Sequence, residues 1–325
     1  MSNCKVVKYS YSLYNEWNDF VKVSKNGTFL FHRDFMEYHQ DRFDDFSLLV
    51  YFKNKLVGIL PANIEGNQIY SHQGLSYGGL VLSRDIKFCV VIEIFYELLK
   101  YINENRFSNL VLKQVPSFYC SLFTEEIQYL MFFLNAELYR RDTLSVIDLN
   151  NEFKISENRL EGFKRGKKHG LLIKEEDEFE LFWNEILIKN LENKHNAKPV
   201  HSLKEIMLLK KQFPANIRQF NVYHKGKIVA GTTVFESKNV AHSQYISGNN
   251  DKNKLGSLDF LHLFLIRETF KNKKYFDFGS SNENDGQNIN KGLQFWKEGF
   301  GARIVTQDFY KISTHNYKAL NKVFI

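Results

Sequence analysis

The second half of the chain alternates apolar stretches of strand length with amphipathic stretches of helical length. Residues 227–235 and 240–246 are rich in β-branched and aromatic side chains, which predicts two adjacent strands. Leucines then recur at helical spacing from Leu258, and Ser257 is expected to cap that helix. Beyond this helix the pattern predicts, in order, a strand at 274–278, a polar loop at 280–290, a helix at 291–300 and a strand at 303–312.

The first half repeats this order. A hairpin is predicted over 46–60, and its segment 50–57 matches 222–229 at five of eight positions. A strand at 69–73 follows at nearly the offset of the strand at 240–244, and each is followed by a loop, a long helix and a strand. We therefore predict a duplicated α/β unit, with domains at 1–150 and 151–325.

The predicted fold class is α/β with mixed sheets. Hairpins begin each unit and no glycine-rich turn joins a strand to a helix, which excludes a doubly wound nucleotide-binding fold. The sequence has no P-loop and no HExxH motif, and its ten histidines do not cluster at ligand spacing. We expect no metal.

Composition is consistent with two globular domains in 325 residues, 43% hydrophobic and 25% charged. The net charge of +7 fits either a mildly basic protein or one that binds a phosphate-bearing ligand such as coenzyme A, a nucleotide sugar or RNA. Composition alone leaves these alternatives open.

Compartment is indicated by the cysteines and by the apolar runs. Three scattered cysteines fit reduced thiols and a cytoplasmic protein, and Cys89 is expected in the core. No apolar run is long enough to span a membrane, and the first residues lack the apolar segment of a secretion signal.

A family resemblance rests on two motifs near the C-terminus. Phe276-Asp277-Phe278-Gly279, followed after a loop by Leu293-Gln-Phe-Trp-Lys-Glu-Gly-Phe-Gly301, resembles the signature of FemAB/FemX-like proteins. These are tandem-domain members of the GNAT N-acyltransferase superfamily. The resemblance implies two tandem GNAT-like domains with a cleft between them, and an active site carried by the second domain.

Three residues are candidates for catalysis. The resemblance implies that Lys297 faces the reacting centre and stabilises an oxyanion, whereas the helix pattern alone fits a lysine that extends from a helix face. Asp277 could receive a proton from the substrate ammonium or bond the following loop. Tyr245 could donate a proton to a departing thiolate or belong to the core.

Phosphate binding is predicted between the strand at 240–246 and the next helix. Lys252, Lys254, Gly256 and Ser257 lie there, where backbone N–H groups and the helix dipole favour an anion. The segment keeps the first glycine of the single-domain GNAT motif and lacks the rest. A solvated polar turn is the alternative.

Substrate contacts are expected in both domains. By resemblance, Lys164 and Arg165 match a basic pair at the substrate diphosphate, although they also fit a solvated charge run. In the first domain, Arg33 is a further candidate for phosphate binding. His72 and Tyr77 lie where a predicted strand passes into a loop, a position at which a sugar or base could bind. A plain glycine-rich turn is the alternative for that position.

The preferred hypothesis is transfer of an acyl group from acyl-CoA to the amine of a nucleotide-linked amino sugar, for example a dTDP-amino-dideoxyhexose of surface polysaccharide. A FemX-like aminoacyl-tRNA-dependent transferase acting on a UDP-linked peptidoglycan precursor is the second hypothesis, so a tRNA partner stays open. The third is a non-catalytic binding protein on a degenerate GNAT fold.

Overall fold

The computed structural model describes residues 3–324, with every side chain among them except those of Lys194 and His195. The chain forms two compact units. Unit 1 comprises the chain up to Asp142 and again from Thr306 onward, and unit 2 comprises Thr143–Val305.

The strands, in chain order, are β1 (Cys4–Lys8), β2 (Asp44–Asp45), β3 (Leu48–Phe52), β4 (Lys55–Leu60), β5 (Asn63–Glu65), β6 (Gln68–Tyr70), β7 (Val81–Leu82), β8 (Asn109–Lys113), β9 (Glu137–Asp148), β10 (Leu172–Glu176), β11 (Ile217–His224), β12 (Lys227–Glu236), β13 (Val240–Gly248), β14 (Tyr275–Ser280), β15 (Asn282–Glu283), β16 (Asn288–Ile289) and β17 (Arg303–Ser313).

The α-helices are α1 (Tyr14–Val23), α2 (Arg33–Glu37), α3 (Phe88–Glu104), α4 (Glu126–Phe133), α5 (Glu157–Lys168), α6 (Glu180–Phe182), α7 (Ile188–His195), α8 (Leu203–Gln212), α9 (Lys252–Leu255), α10 (Ser257–Phe264) and α11 (Lys291–Glu298). π-helical turns at Trp183–Leu187 and Leu265–Thr269 continue α6 and α10. Short 3₁₀ helices lie at Tyr11–Leu13, Phe29–Phe31, Ser117–Tyr119 and Thr314–Lys322.

The units do not follow the expected boundary at 150. The chain passes from unit 1 to unit 2 within β9, and it returns to unit 1 within β17. The polar residues Asn150 and Asn151 end the strand pattern in the sequence, but they lie beyond the point of division. The final 20 residues also belong to unit 1, because the end of β17 pairs with β8.

Unit 2 is built on a mixed sheet in the order β10-β11-β12-β13-β14-β9. The β13–β14 pair is parallel and the other pairs are antiparallel. Phe276 and Phe278 point from β14 into the unit's core, where they meet Leu261 of α10 and Phe300 after α11. Alternation along β14 therefore leaves Asp277 on the opposite side.

Unit 1 has one sheet in the order β1-β3-β4-β7 and a second that contains β8-β6-β5-β2, with the end of β17 beside β8. Its core is organised around α3, whose apolar face is completely buried. Cys89, expected in the core, is exposed in the first turn of α3, so that prediction was wrong. Within residues 3–324, no helix is long and apolar enough to cross a membrane.

The predicted repeat is visible in the two leading hairpins. The turns Lys53-Asn54 and Lys225-Gly226 both have positive φ angles, as two-residue hairpin turns of this type require. Each hairpin also has a register shift at the same place, between Val50 and Tyr51 in β3 and between Val222 and Tyr223 in β11. The sequence match at 50–57 and 222–229 therefore corresponds to the same local geometry.

The parallel strand pairs also correspond between the units. In unit 1, β6 pairs with β8 over three residues, and in unit 2, β13 pairs with β14 over three residues. A long helix connects the two strands of each pair, α3 in unit 1 and α10 in unit 2. A duplicated α/β unit accounts for both correspondences.

Helix α5 packs very closely on α9 and α10 because glycines form the contact. A Cβ at Gly256 would lie 2.1 Å from the carbonyl oxygen of Gly162, and a Cβ at Gly166 would lie 2.6 Å from the Phe260 side chain. Gly256 also has a φ of +68°, which disfavours other residues. This contact fixes where α5 lies beside the start of α10.

We expect Gly256→Ala to destabilise the protein by roughly 3 kcal/mol, because strain at positive φ adds to a clash with backbone atoms that cannot move aside. Gly226→Ala is the matched control: its φ is +78° and a Cβ there would meet nothing within 4 Å. It should cost only about 1 kcal/mol. Urea unfolding of both variants measures this, and equal losses would contradict the packing described for α5.

Candidate functional site

Strands β13 and β14 separate partway along their length. Their parallel pairing covers only Val240–His242 with Tyr275–Asp277, although β13 continues to Gly248 and β14 to Ser280. On its other side, β13 stays paired with β12 up to Gly248. A gap therefore opens between β13 and β14 beyond His242.

A cavity of about 670 Å³ lies along the unpaired part of β13. Its walls come from the end of β13, from α5, from α7, from α9, from the start of α10 and from α11. The lining residues are Arg159, Arg165, Leu187, Asn190, Leu191, Ile246, Ser247, Lys252, Asn253, Leu258, Asp259, Asn290, Gly292, Leu293 and Trp296.

Charge in this cavity is predominantly positive. Asp259 accepts hydrogen bonds from Arg159 Nη1 at 2.6 Å and from Trp296 Nε1 at 3.0 Å, so one of the cations is already neutralised. Burial raises the pKa of Asp259 despite these contacts. With Arg165 and Lys252, the lining has three cations against one carboxylate. The cavity is therefore suited to an anionic ligand such as a phosphate.

Helix α7 is attached to the end of β13 by an amide side chain. Asn190 Nδ2 donates to Ser247 Oγ at 2.8 Å and to the carbonyl oxygen of Gly248 at 3.0 Å. These bonds satisfy strand atoms at the edge of the gap, where β14 offers no partner. They hold one wall of the cavity in place.

The predicted phosphate loop differs from its expected form. Residues 252–255 form α9, and Gly256 rather than Ser257 is the N-cap of α10, so the capping prediction was wrong. The Ser257 hydroxyl is buried and has no hydrogen-bond partner. Lys254 is exposed outside the cavity. Of the four residues predicted for the donor, only Lys252 lines the cavity, because α5 covers the backbone at Gly256.

A network of buried polar groups lies where β13 and β14 separate. Asp277 is 2% exposed; its Oδ2 lies 2.9 Å from His242 Nδ1, and its Oδ1 accepts the backbone N–H of Gly279 at 2.7 Å. Lys297 Nζ, on α11, donates to the carbonyl oxygens of Gly279 and Ser280 at 3.0 and 2.8 Å. Asp277 and Lys297 therefore secure the same turn from two sides.

Lys297 is buried at 2% exposure, and desolvation lowers its pKa to about 8 although Asp277 acts in the opposite direction. The charge is therefore retained at neutral pH but at a cost. Lys297 does not line the cavity, whereas its neighbour Trp296 does. The structure gives Lys297 two carbonyl partners rather than an open position.

Tyr245 lies on a buried side of β13. Its hydroxyl is 2.6 Å from His201 Nδ1 and accepts the His201 backbone N–H at 3.2 Å, and its ring meets Trp183 edge-on. A register shift in the β12–β13 ladder leaves Gln244 opposite no residue of β12, which changes the side on which Tyr245 falls. Tyr245 does not line the cavity.

The basic pair of α5 is divided between two environments. Arg165 lines the cavity together with Lys252, so the residues expected for substrate and for donor lie at one place. Lys164 is exposed and forms an ion pair with Glu161 at 2.8 Å, a contact within one helix surface. The pair therefore does not act as a unit on one ligand.

Arg33, predicted as a phosphate ligand in unit 1, is buried among acidic groups. Its Nε donates to Glu37 at 2.8 Å and its Nη1 to Asp45 at 3.2 Å, and its guanidinium lies over the Tyr9 ring. The adjoining cavity of about 510 Å³ contains four carboxylates, those of Glu37, Asp41, Asp44 and Asp45. Because acidic groups already occupy the guanidinium, this environment does not favour a phosphate.

His72 and Tyr77 have the environment of core residues. His72 lines the unit 1 cavity, and burial lowers its pKa to about 3, which keeps the ring neutral. Tyr77 is buried and its hydroxyl donates to Thr28 Oγ1 at 3.0 Å. His72 and Arg33 therefore share a cavity, whereas Tyr77 does not line it.

Unit 1 closes the position that corresponds to the gap in unit 2. Beyond its pairing with β6, strand β8 is bonded by the segment that follows β6: Gly78 N–H donates to Lys113 O at 2.7 Å, and Lys113 Nζ donates to Leu75 O at 2.8 Å. A Cβ at Gly78 would meet the Ser71 carbonyl, so this segment is tightly packed. The open gap is thus a feature of unit 2.

Several residues of the site could not be singled out from the sequence. Arg159 and Asp259 are brought together only when α5 packs on α10, although the spacing of Gly162 and Gly166 was an available signal for close helix packing. His242 lies in a strand of mixed polar and apolar residues, and only the register of β13 with β14 places it beside Asp277. Within residues 3–324, no group of three acidic, histidine or cysteine side chains is arranged to hold a metal ion.

Comparison with solved structures shows which proteins share the fold of this chain. FemX matches with a TM-score of 0.68 at 10% identity over 96% of this chain and 98% of FemX. A conserved protein of unknown function from Bacteroides thetaiotaomicron VPI-5482 matches with a TM-score of 0.57 at 9% identity, covering 95% and 98% of the two chains. L-PGS from Bacillus licheniformis matches with a TM-score of 0.54 at 12% identity, covering 82% and 86%.

The expected fold, mixed α/β with two tandem GNAT-like domains of the FemX type, is confirmed by these likenesses. No family model and no curated protein matches the sequence. At these identities the structural likeness establishes architecture, and the activity has to be argued from the site.

Lys297 allows a test of the buried network by pH. Between pH 8 and its ordinary value of 10.5, the unfolded chain binds more protons at this residue than the folded chain, so the free energy of unfolding should rise with pH. Relative to Lys297→Met, the wild type should gain on the order of 3 kcal/mol across this range. Urea unfolding of both proteins at pH 7 and pH 10 measures the difference. A pH-independent difference would show that Lys297 is solvated instead.

Proposed function

We propose that the protein is an N-acyltransferase that uses the gap between β13 and β14 to hold its acyl donor. The preferred donor is acyl-CoA, and the preferred acceptor is the amine of a nucleotide-linked amino sugar destined for surface polysaccharide. Direct attack of the amine on the thioester would form the amide, with the donor's phosphates at Arg165 and Lys252.

The observation that carries this proposal is the early end of the β13–β14 pairing beside a positively charged cavity. Separated strands leave backbone N–H and C=O groups that an extended amide-containing arm can bond, in the way that a peptide adds to a strand edge. A thioester is already activated, so the site has to supply positioning and stabilisation of charge. Unit 1, where the corresponding position is closed, is not expected to act on a donor.

An aminoacyl-tRNA donor is the second candidate, and one observation favours it. In the single-domain GNAT pattern, a glycine-containing loop at a helix N-terminus would hold the pyrophosphate of CoA. Here the backbone at Gly256 faces the Gly162 carbonyl, so α5 covers that N-terminus and side chains have to provide the phosphate contacts. An aminoacyl-tRNA donor has no such pyrophosphate, so a FemX-like transferase acting on a UDP-linked peptidoglycan precursor does not need that loop.

Ligand-induced thermal stabilisation separates the candidates. A ligand present at a hundred times its dissociation constant should stabilise the folded protein by roughly 2.7 kcal/mol. We expect an upward shift of the melting temperature with CoA, and a further shift with one member of a panel of dTDP- and UDP-linked amino sugars. A shift with aminoacyl-tRNA or a UDP-muropeptide, but none with CoA, would support the second candidate. No shift with any of them would favour a non-catalytic binding protein.

The phosphate contacts can be tested by neutral substitutions. Arg165→Gln and Lys252→Gln should each weaken donor binding about 10- to 100-fold, because each removes a charge-assisted hydrogen bond. Lys164→Gln is the matched control, since Lys164 is adjacent, exposed and paired with Glu161. It should leave the affinity within about twofold. Isothermal titration gives the affinities, and equal weakening by all three substitutions would indicate a diffuse charge effect and contradict this assignment.

A further inference from the structure

We propose that His242 is the general base that removes a proton from the acceptor ammonium, with Asp277 and Lys297 as the residues that position it. This inference rests on the proposed acyl transfer and assigns a role that neither the motifs nor the fold indicated. It follows from the network at the point where β13 and β14 separate.

The contact between Asp277 and His242 determines the tautomer of the imidazole. Asp277 Oδ2 lies 2.9 Å from His242 Nδ1, and a buried carboxylate can only accept, so Nδ1 carries the hydrogen. The lone pair of the neutral ring is then on Nε2, the nitrogen turned away from Asp277. This is the arrangement in which a carboxylate orients an imidazole to accept a proton and stabilises the cation that forms.

A turn of the backbone at Gly279, near the end of β14, holds the ring in place. Gly279 has a φ of +68°, and a Cβ there would lie 3.1 Å from His242 Cε1, so the glycine lies against the Cε1 edge of the imidazole. Its N–H donates to Asp277 and its carbonyl accepts from Lys297. Lys297 therefore acts on His242 through this turn, which explains why a costly buried ammonium occurs on α11.

His242 lies where the acyl carbon of a donor bound in the gap is expected. His242 belongs to the last β13–β14 pair, and the phosphate-binding end of the cavity lies at Ser247. Five residues of strand span ~16 Å. An extended arm that follows β13 from its phosphates back to the closed end of the gap thus brings its acyl carbon beside the imidazole. The His242 side chain is 17% exposed there, so a substrate can reach it.

The other candidates for a base are less suitable. Asp277 is almost fully buried and uses both oxygens, for His242 and for the Gly279 N–H. The Tyr245 hydroxyl is buried against His201. Asp277 on β14 bonds His242 and also acts on Lys297, and the β12 residue in register with His242 is the apolar Phe235.

The proton balance is complete. His242 Nε2 takes one proton from the acceptor ammonium, and the neutral amine forms a C–N bond with the donor's carbonyl carbon. The C–S bond of the thioester, or the C–O bond of an aminoacyl ester, then breaks. The second nitrogen proton goes to the departing sulfur or oxygen, and His242 returns its proton to solvent.

The test compares turnover and donor binding in the same variants. With acetyl-CoA and the dTDP-linked amino sugars as probes, His242→Gln should lower kcat by about 10²- to 10⁴-fold. The thermal shift with CoA should be unchanged, since His242 does not line the phosphate cavity. Asp277→Asn should also lower kcat. His224→Gln, a histidine substitution at the β11–β12 turn, is the control and should leave kcat unchanged.

Two readouts distinguish a base from a structural residue. Added imidazole should restore part of the turnover of His242→Ala. Hydroxylamine, an acceptor that is already neutral at pH 7, should show a much smaller loss in His242→Gln than a basic amine does. These readouts would not respond to a purely structural role.

The outcomes separate this inference from the proposed function. If the wild type and His242→Gln transfer the acyl group equally fast, the role of His242 as base is wrong and the proposed transferase function stands. Equal losses for basic and neutral acceptors would also overturn it. A wild type that transfers from neither acetyl-CoA nor aminoacyl-tRNA would overturn both. If the variants do not fold, the wild type supplies the test: turnover that does not change with the basicity of the acceptor amine would contradict the base.

Discussion

The separation of β13 from β14 after three residue pairs is the constraint on which the rest of unit 2 depends. Parallel strands that part expose backbone groups, and each exposed group needs another partner. On one side Asn190 supplies such bonds at the end of β13, and on the other Lys297 bonds the carbonyls of Gly279 and Ser280 at the end of β14. The gap is therefore maintained by specific side chains rather than left as a packing defect.

Buried charge at this point is costly, and its location indicates a use. Asp277 and Lys297 are both about 2% exposed, and an isolated buried charge would be strongly unfavourable. Each bonds the backbone of the same turn, and the charge of Asp277 raises the pKa of Lys297 while burial lowers it. Apolar residues could close a turn at lower cost. A polar network that ends on a partly exposed imidazole is better explained by a requirement for proton transfer.

The order of elements was predictable from the sequence, whereas much of the site was not. Apolar runs of strand length and helical spacing predicted β12 to β14, α10 and α11, and the match at 50–57 and 222–229 revealed the repeat. Packing between distant segments was not visible. Gly256 was interpreted as a phosphate loop, but its missing side chain makes room for α5. Arg165 joins Lys252 for the same reason.

His242 shows most clearly where sequence reasoning stops. A single histidine in a strand of mixed composition gives no local signal, and its role depends on a strand register set by residues more than thirty positions away. The boundary at 150 was missed for a related reason: β9 and β17 are long strands whose residues are divided between units. Local sequence patterns predict single strands and helices, whereas the site depends on how distant strands and helices pair and pack.

A crystal structure of the protein with a bound acyl-CoA analogue would test the central claim most directly. The account predicts electron density for the phosphates at Arg165 and Lys252, for the pantetheine arm between β13 and β14, and for the acyl carbonyl beside His242. Density for the analogue elsewhere on the protein, with β13 and β14 unoccupied, would contradict the claim that this gap is the donor site.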